Sequence, residues 1–302
     1  MMYDMSIAKI KSGLRRYPAT FLRSLGHTVA APLPKPRTKV IKHSFWQDHS
    51  IWEGHDFAAA WLGHATVLIR LGGLTVLTDP VWSERIGMKL GGQVFGPERL
   101  LAFPASINNI PHVDLVLLTH AHFDHLDRPT LRKLVSPDTT VITAWSTSTL
   151  IPRGYAGVRE LRWNSGTSIG DVHITALPVD HWGARKVWDR HRGCNAYLLE
   201  HKKKRILFAG DTAKTDSFNR LGKIDLAIMG IGAYEPWIDA HATPEQVWEM
   251  AQKMPARRLM PIHHSTFELS DEPINEPMQR LLRVGDRKRI VGRSIGELVT
   301  AA

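Results

Sequence analysis

From about residue 58 onward, short apolar runs alternate with turn residues, and the length of the runs argues for strands. "TVLIRL" and "GLTVLTDP" flank Gly72–Gly73, which is the pattern of a hairpin. "VDLVLLT" at 113–119 is apolar throughout and predicts a strand covered on both faces. Further strands are predicted at "TTVITA", "GVRELRW", "VHITALPV", "NAYLLE", "RILFAGD" and "IDLAIMG". Helical spacing interrupts them twice. "DRPTLRKLV" has Pro129 near a helix start, with Leu131, Leu134 and Val135 at helical intervals. "TPEQVWEMAQKM" opens with Thr243 and Gln246 as a capping box around Pro244. Many strands with interspersed helices predict a layered α/β or α+β domain. There is no repeat of fixed short period and no low-complexity tract.

Composition alters this picture only at the N-terminus. A chain of 302 residues with 43% hydrophobic and 23% charged positions reads as an ordinary globular protein. No apolar stretch reaches the roughly 18 residues that span a bilayer. The formal charge of +10 is concentrated: residues 1–42 hold nine Lys and Arg against Asp4 alone, so the rest is nearly neutral. In that arm Ile7, Ile10 and Leu14 follow helical spacing among cations. It is either a peripheral membrane contact drawn to anionic lipid or a segment packed on the domain. "APLPKPRTK" then reads as a stiff linker. The expected organisation is a basic arm and linker over 1–42 and one domain over 43–302. No cleavable export signal is evident, so a cytoplasmic location is expected, with contact at the inner face of a membrane as the variant. Poly-basic arms also suit nucleic acid, but no aromatic–basic repeat supports that partner, and none is expected. A homo-oligomer is compatible with the sequence. The single cysteine, Cys194, excludes an internal disulfide and reads as a small buried hydrophobe.

Candidate chemistry gathers where the strand at 113–119 ends. "THAHFDHLD" places His120, His122, Asp124 and His125 within six residues. Sixteen histidines make an isolated one uninformative, so the weight falls on spacing. Alternate residues of an extended chain share a side, so His120 and His122 can converge on one cation. Asp124 and His125 lie where the chain turns into a helix and can face a second. Imidazole with carboxylate suits zinc, iron or manganese. Four ligands cannot close two coordination shells, which demands donors from distant strand ends. The sequence offers His181 in "LPVDHWGAR", Asp211 in "LFAGDT", and His263 or His264 in "LMPIHHSTF". A carboxylate such as Asp211 can bridge two cations about 3.5–4 Å apart, which then lower the pKa of a shared water toward about 7.

These residues resemble a known pattern. "THAHFDH", a later His after a strand, "GDT" and a late His are similar to the metallo-β-lactamase fold superfamily. "WLGHATVLI", "LTDPVWSERIG", "GPERL", "IGAYEP", "HATPEQ" and "HHSTFELSDEPINEP" resemble its branch containing N-acylphosphatidylethanolamine-hydrolysing phospholipase D. The motifs run in order over about residues 59–280, roughly three quarters of the chain.

The resemblance implies an α+β fold, a four-layer αββα sandwich with a dinuclear site along one edge. Carried over position by position, His120, His122 and His181 would hold one metal. Asp124, His125 and His263 would hold the other, and Asp211 would bridge. Here "HHSTF" departs from a family motif closer to H-W-G-T-F, leaving His264 as an alternative to His263. Asp79 would orient a ligand histidine. His64 and His241 would sit at the rim of the cleft, His241 near a helix N-terminus that favours phosphate. Tyr234 is expected to contact a phosphoryl group or pack. Arg185, Trp182 and Trp188 are candidates to shape the pocket, with burial the expected state of the two tryptophans.

The expected function is therefore a hydrolase with two divalent metal ions, zinc first and manganese or iron as alternatives. A metal-bridging hydroxide would attack a phosphodiester, with Asp124 and His241 as the catalytic side chains. The expected substrate is a small molecule or a phospholipid of the N-acylphosphatidylethanolamine kind. Hydrolysis of a lactone or other carboxylic ester by the same site is the nearest rival. A non-catalytic metal-binding interaction module is the rival of another class.

Overall fold

The computed structural model describes residues 33–186 and 188–300. The amphipathic arm before residue 33 lies outside the described residues. In chain order the first strands are β1 (Phe57–Gly63), β2 (Thr66–Leu71), β3 (Leu74–Thr78), β4 (Met88–Leu90) and β5 (Gln93–Phe95). Next come β6 (Leu115–Leu118), β7 (Thr140–Ala144), β8 (Gly157–Leu161), β9 (Gly166–Ile169) and β10 (Val172–Leu177). The last are β11 (Ala196–His201), β12 (Lys204–Phe208), β13 (Ile224–Gly230), β14 (Ala256–Ile262) and β15 (Leu298–Thr300). The α-helices are α1 (His49–Glu53), α2 (Arg128–Lys133), α3 (Pro244–Lys253) and α4 (Glu276–Val284).

Two mixed sheets carry the domain. One has seven strands in the order β15-β1-β2-β3-β6-β7-β8, and the other six in the order β14-β13-β12-β11-β10-β9. Strand periodicity explains how they stack. Along β1, Phe57, Ala59 and Trp61 join one core shared with Ile174, Tyr197, Phe208 and Ile228 of the other sheet. Ala58, Ala60 and Leu62 face the opposite way, onto Phe45, Trp52 and Leu131. The outer face of the six-stranded sheet packs on Val247, Trp248 and Ala251 of α3 and Leu281 of α4. Both sheets are thus covered on both sides over their central strands, which is why those strands lack a polar face, whereas β8 and β9 keep exposed positions. The result is the expected αββα sandwich. The hairpin at Gly72–Gly73 and the capping box of α3 are present as read: Thr243 Oγ1 accepts from Gln246 N, and Gln246 Oε1 accepts from Thr243 N.

Three features differ from the sequence reading. Helix α2 stops at Lys133, so Val135 lies beyond it and is exposed; Pro137 follows and disfavours helix in the residue before it. Strands β1, β4, β5, β9 and β15 and helices α1 and α4 are additional elements. The alanines of β1 are weak strand formers, and packing between sheets overrides their propensity. Trp188 is 78% exposed and so is not the buried tryptophan expected; the Lys186 ammonium lies over its ring. Cys194 is buried and free.

The segment at 33–42 is extended and held to the body. Arg37 N donates to Asn275, Thr38 Oγ1 donates to Ser265, and Ile41 N donates to Ile295 O. Among the described residues no helix is long and apolar enough to cross a membrane.

Strand direction decides where the chemistry falls. β3, β6 and β7 are parallel, as are β12, β13 and β14, so their C-terminal ends share one edge. β10 is antiparallel to β11, which is antiparallel to β12, so β10 ends there too. The β1–β2 turn joins the same edge, because β2 starts opposite the end of β3.

Candidate metal centre

Each expected ligand follows one of those strand ends. His120, His122, Asp124 and His125 follow β6, and His181 follows β10. Asp211 and His263 follow β12 and β14. Donor atoms of His120, His122, His181 and Asp211 all lie within 4.8 Å of one another. A second group of the same closeness contains His64, Asp124, His125 and His263. Asp211 stands between them. Its Oδ2 is 3.0 Å from His125 Nε2 and 3.2 Å from His263 Nε2, and 3.9 and 3.8 Å from the Nε2 atoms of His120 and His181.

Glycine makes this approach possible. Gly210 adopts φ +58°, and a Cβ there would sit 2.6 Å from Thr119 Cγ2. Only a residue without a side chain brings Asp211 this close to the end of β6.

The imidazoles are aimed by hydrogen bonds from their outer nitrogens. His125 Nδ1 donates to Asp79 Oδ2 at 2.7 Å, and His181 Nδ1 donates to Ala240 O at 3.0 Å. Thr119 Oγ1 donates to Asp79 Oδ2 at 2.6 Å and accepts from His120 Nδ1 at 2.9 Å. These partners orient the three rings and point each Nε2 toward the centre. His120 Nε2 and His125 Nε2 are buried without a hydrogen-bond partner. An orphaned buried polar atom costs about 1–3 kcal/mol, so a cluster of them facing Asp211 fits a group that supplies positive charge. The donor set, five imidazoles and two carboxylates, suits zinc, iron or manganese.

Electrostatics divides the histidines. Burial and neighbouring imidazoles push His120 well below the usual range and His122 to about 3, and burial takes His181 to about 4, so these rings are neutral. Burial would do the same to His125 and His263, but the carboxylates of Asp211 and Asp124 outweigh it. They lift His125 well above its ordinary value and His263 to about 9. In return, burial of Asp124 and Asp211 is overcome by His125 and its neighbours, and both carboxyls are held well below the carboxylate range.

The remaining sequence candidates separate clearly. Asp79 is fully buried and accepts from Thr119 N as well as Thr119 Oγ1 and His125, so it supports the second group. His241 lies at the edge of the centre, with Nδ1 3.9 Å from Asp211 Oδ2. His64 is not at a rim: it is 1% exposed, with Nε2 2.9 Å from Asp124 Oδ2. Arg185 Nη1 donates to Ala121 O and Leu126 O, and its guanidinium lies 3.9 Å over Phe123, so it clamps the loop that carries four donors. The Tyr234 hydroxyl is engaged, donating to Glu276. His264 turns away, its ring tilted against that of Trp61 and its Nδ1 2.8 Å from Ser265 Oγ, which leaves His263 in the donor group. Trp182 stacks on His181.

Two threonines were not among the sequence candidates. Thr119 links Asp79 to His120, as described. Thr212 Oγ1 accepts from Asp180 N and its carbonyl accepts from Ala242 N, tying the His181 and His241 loops together. Their signal in the sequence is adjacency to a ligand, in "TH" and "DT".

Two adjacent imidazole–carboxylate groups at the edge of an αββα sandwich define a metal-dependent hydrolase of the metallo-β-lactamase fold. The chain belongs to the β-lactamase superfamily: residues 75–264 match its "Beta-lactamase superfamily domain". Among relatives, N-acyl-phosphatidylethanolamine-hydrolyzing phospholipase D 1 of Caenorhabditis elegans is 30% identical, over 76% of this chain and 70% of its own. A mitochondrial N-acyl-phosphatidylethanolamine-hydrolyzing phospholipase D of Saccharomyces cerevisiae is 32% identical, over 73% of this chain and 50% of its own. Among solved structures, isothiocyanate hydrolase from Delia radicum gut bacteria superposes with a TM-score of 0.65 at 18% identity. The match covers 81% of this chain and 99% of that one.

Proposed function

We propose that the protein is a two-metal phosphodiesterase of phospholipase D type acting on N-acylphosphatidylethanolamine-like lipids. The observation that carries this reading is the pair of four-donor groups with Asp211 in reach of both. His120, His122 and His181 would hold one cation, Asp124, His125 and His263 the other, and Asp211 would serve both; zinc is the metal we assign. When bound, the pair supplies Lewis acidity and a water acidified toward about pKa 7.

The chain's own residues do the rest. Asp124 Oδ2 is fixed by His64, and lies 3.3 Å from both His125 Nε2 and His263 Nε2, so its carboxylate has one orientation beside the reacting atoms. His241 is neutral because burial lowers it well below its ordinary value, and its ring stands at the edge of the centre. From there it donates a hydrogen bond to a phosphoryl oxygen, where charge builds in the transition state. Charge favours this substrate over a neutral lactone. With the imidazoles neutral, the two carboxylates and a bound hydroxide would leave one positive charge of two divalent cations uncompensated, and a buried excess of charge calls for an anion.

The worm and yeast relatives, named for this reaction, support the lipid assignment. Exposed apolar side chains on segments next to the site also support contact with a membrane surface. Trp188 follows His181 and Ile238 precedes His241, while Met88 and Leu90 lie on the β4–β5 hairpin just after Ile86, which packs in one cluster with Phe123 of the ligand loop.

The test is a parallel assay of the metal-loaded chain on bis(p-nitrophenyl) phosphate, N-acylphosphatidylethanolamine vesicles and a homoserine lactone. Phosphodiester turnover, highest on the vesicles, is expected; lactone turnover far above both refutes the reading. Zinc and iron counted on anaerobically purified protein test the metal. Removing residues 1–32, which spares the held segment at 33–42, is expected to weaken binding to anionic vesicles with metal content unchanged.

A further inference from the structure

The β1–β2 turn contains a residue that costs the backbone something to place. His64 adopts φ +51°, directly after Gly63 at φ +111°. Such a conformation favours glycine or asparagine, and a larger side chain held there marks an over-determined position. The surroundings supply the determination. His64 N donates to Thr266 Oγ1 at 2.7 Å. Its carbonyl accepts from Trp61 Nε1 at 2.7 Å and from His263 N at 3.0 Å. The ring packs 4.1 Å from that of His263, centroid to centroid, and edge-on against Phe267.

The imidazole then reaches across to the other half of the second donor group. Its Nε2 is 2.9 Å from Asp124 Oδ2, and a carboxylate only accepts, so Nε2 carries the hydrogen. One residue therefore grips Asp124 by its side chain and His263 by its main chain, although those two are 139 positions apart in sequence. At 1% exposure His64 is closed to substrate. We infer that His64 is a positioning residue for the second metal: its Nε2–H holds Asp124 in the orientation that binds, while the first metal does not depend on it.

This inference rests on the two-metal reading, and a metal titration separates the two. Wild-type protein stripped with chelator and titrated with zinc is expected to bind two ions per chain; fewer than two refutes the two-metal reading itself. In H64F the hydrogen bond is lost while the space stays filled. Its second affinity is expected to fall about 10–100-fold, the range for removing a partner of a metal ligand, with the first unchanged. H64Q restores an N–H at similar reach and is expected to bind both ions within about tenfold of wild type. The inference is overturned if H64F binds both ions as wild type does. It is equally overturned if H64Q loses the second ion, since that result assigns the ring as a ligand in its own right. The H64Q result decides alone should H64F not fold.

Discussion

Replacing Asp79 by Asn isolates the support of the centre from its ligands. Both residues tolerate the left-handed backbone that Asp79 adopts at φ +33°, and the two side chains share a shape. What changes is the hydrogen-bond logic. Oδ2 accepts from His125 Nδ1 at 2.7 Å and Thr119 Oγ1 at 2.6 Å, and Oδ1 accepts from Thr119 N at 2.8 Å. An amide keeps one acceptor and turns the other atom into a donor. Either His125 and the Thr119 hydroxyl meet an NH2 group, or Thr119 N does. With no solvent at this depth, one side is left unsatisfied.

A lost hydrogen bond to a charged group is worth roughly 1.5–3 kcal/mol, and the stranded donor adds to it. A net loss of about 3 kcal/mol lowers Tm by about 5 °C in a chain of 302 residues. Metal binding suffers separately. His125 loses the partner that holds Nδ1–H and bares Nε2, so affinity for the second ion is expected to fall about 10–100-fold. The first group keeps His122 and His181 untouched and weakens only through Thr119 and His120. The assay pairs thermal melts of metal-free protein with zinc titration of the same preparation. If D79N melts with wild type and binds both ions with unchanged affinity, the role assigned to Asp79 is wrong. Loss of the first ion ahead of the second refutes the assignment of His125 to the second group.

Two further outcomes follow from the same geometry. His263, raised to about 9, is protonated at pH 7 without metal, and a cation needs the neutral ring. Zinc binding at pH 7 should therefore release protons and strengthen as pH rises toward about 9, read by calorimetry in buffers of different ionisation enthalpy; no proton release contradicts it. Arg185→Met removes two donors from the carbonyls of Ala121 and Leu126 and should cost roughly 2 kcal/mol or more, with looser metal retention and unchanged KM for an anionic substrate. A KM raised tenfold at unchanged Tm would make Arg185 a substrate contact instead.

How much of this was legible beforehand depends on what kind of atom does the work. The ligands were legible because histidine and aspartate are chemically distinct, and because a strand's end fixes where its next residues emerge. Strand direction then brings the ends of β6, β10, β12 and β14 to one edge, although no short-range pattern announces which strands are parallel. The residues left open were those whose role is set by partners distant in the sequence. Arg185 reads as a pocket cation until its targets are seen to be the carbonyls of Ala121 and Leu126. Tyr234 reads equally as a donor to substrate or a packing residue until Glu276 is found on its hydroxyl. His64 reads as part of a motif, and its burial follows from a turn clamped by Trp61, three residues before it, and by Thr266, 202 positions away. A carbonyl has no residue signature, so the orientation of a ligand is encoded in packing that a linear pattern does not display. For that reason the substitutions most informative about this centre are those at Asp79, His64 and Arg185, where ligand identity is untouched and orientation alone is lost.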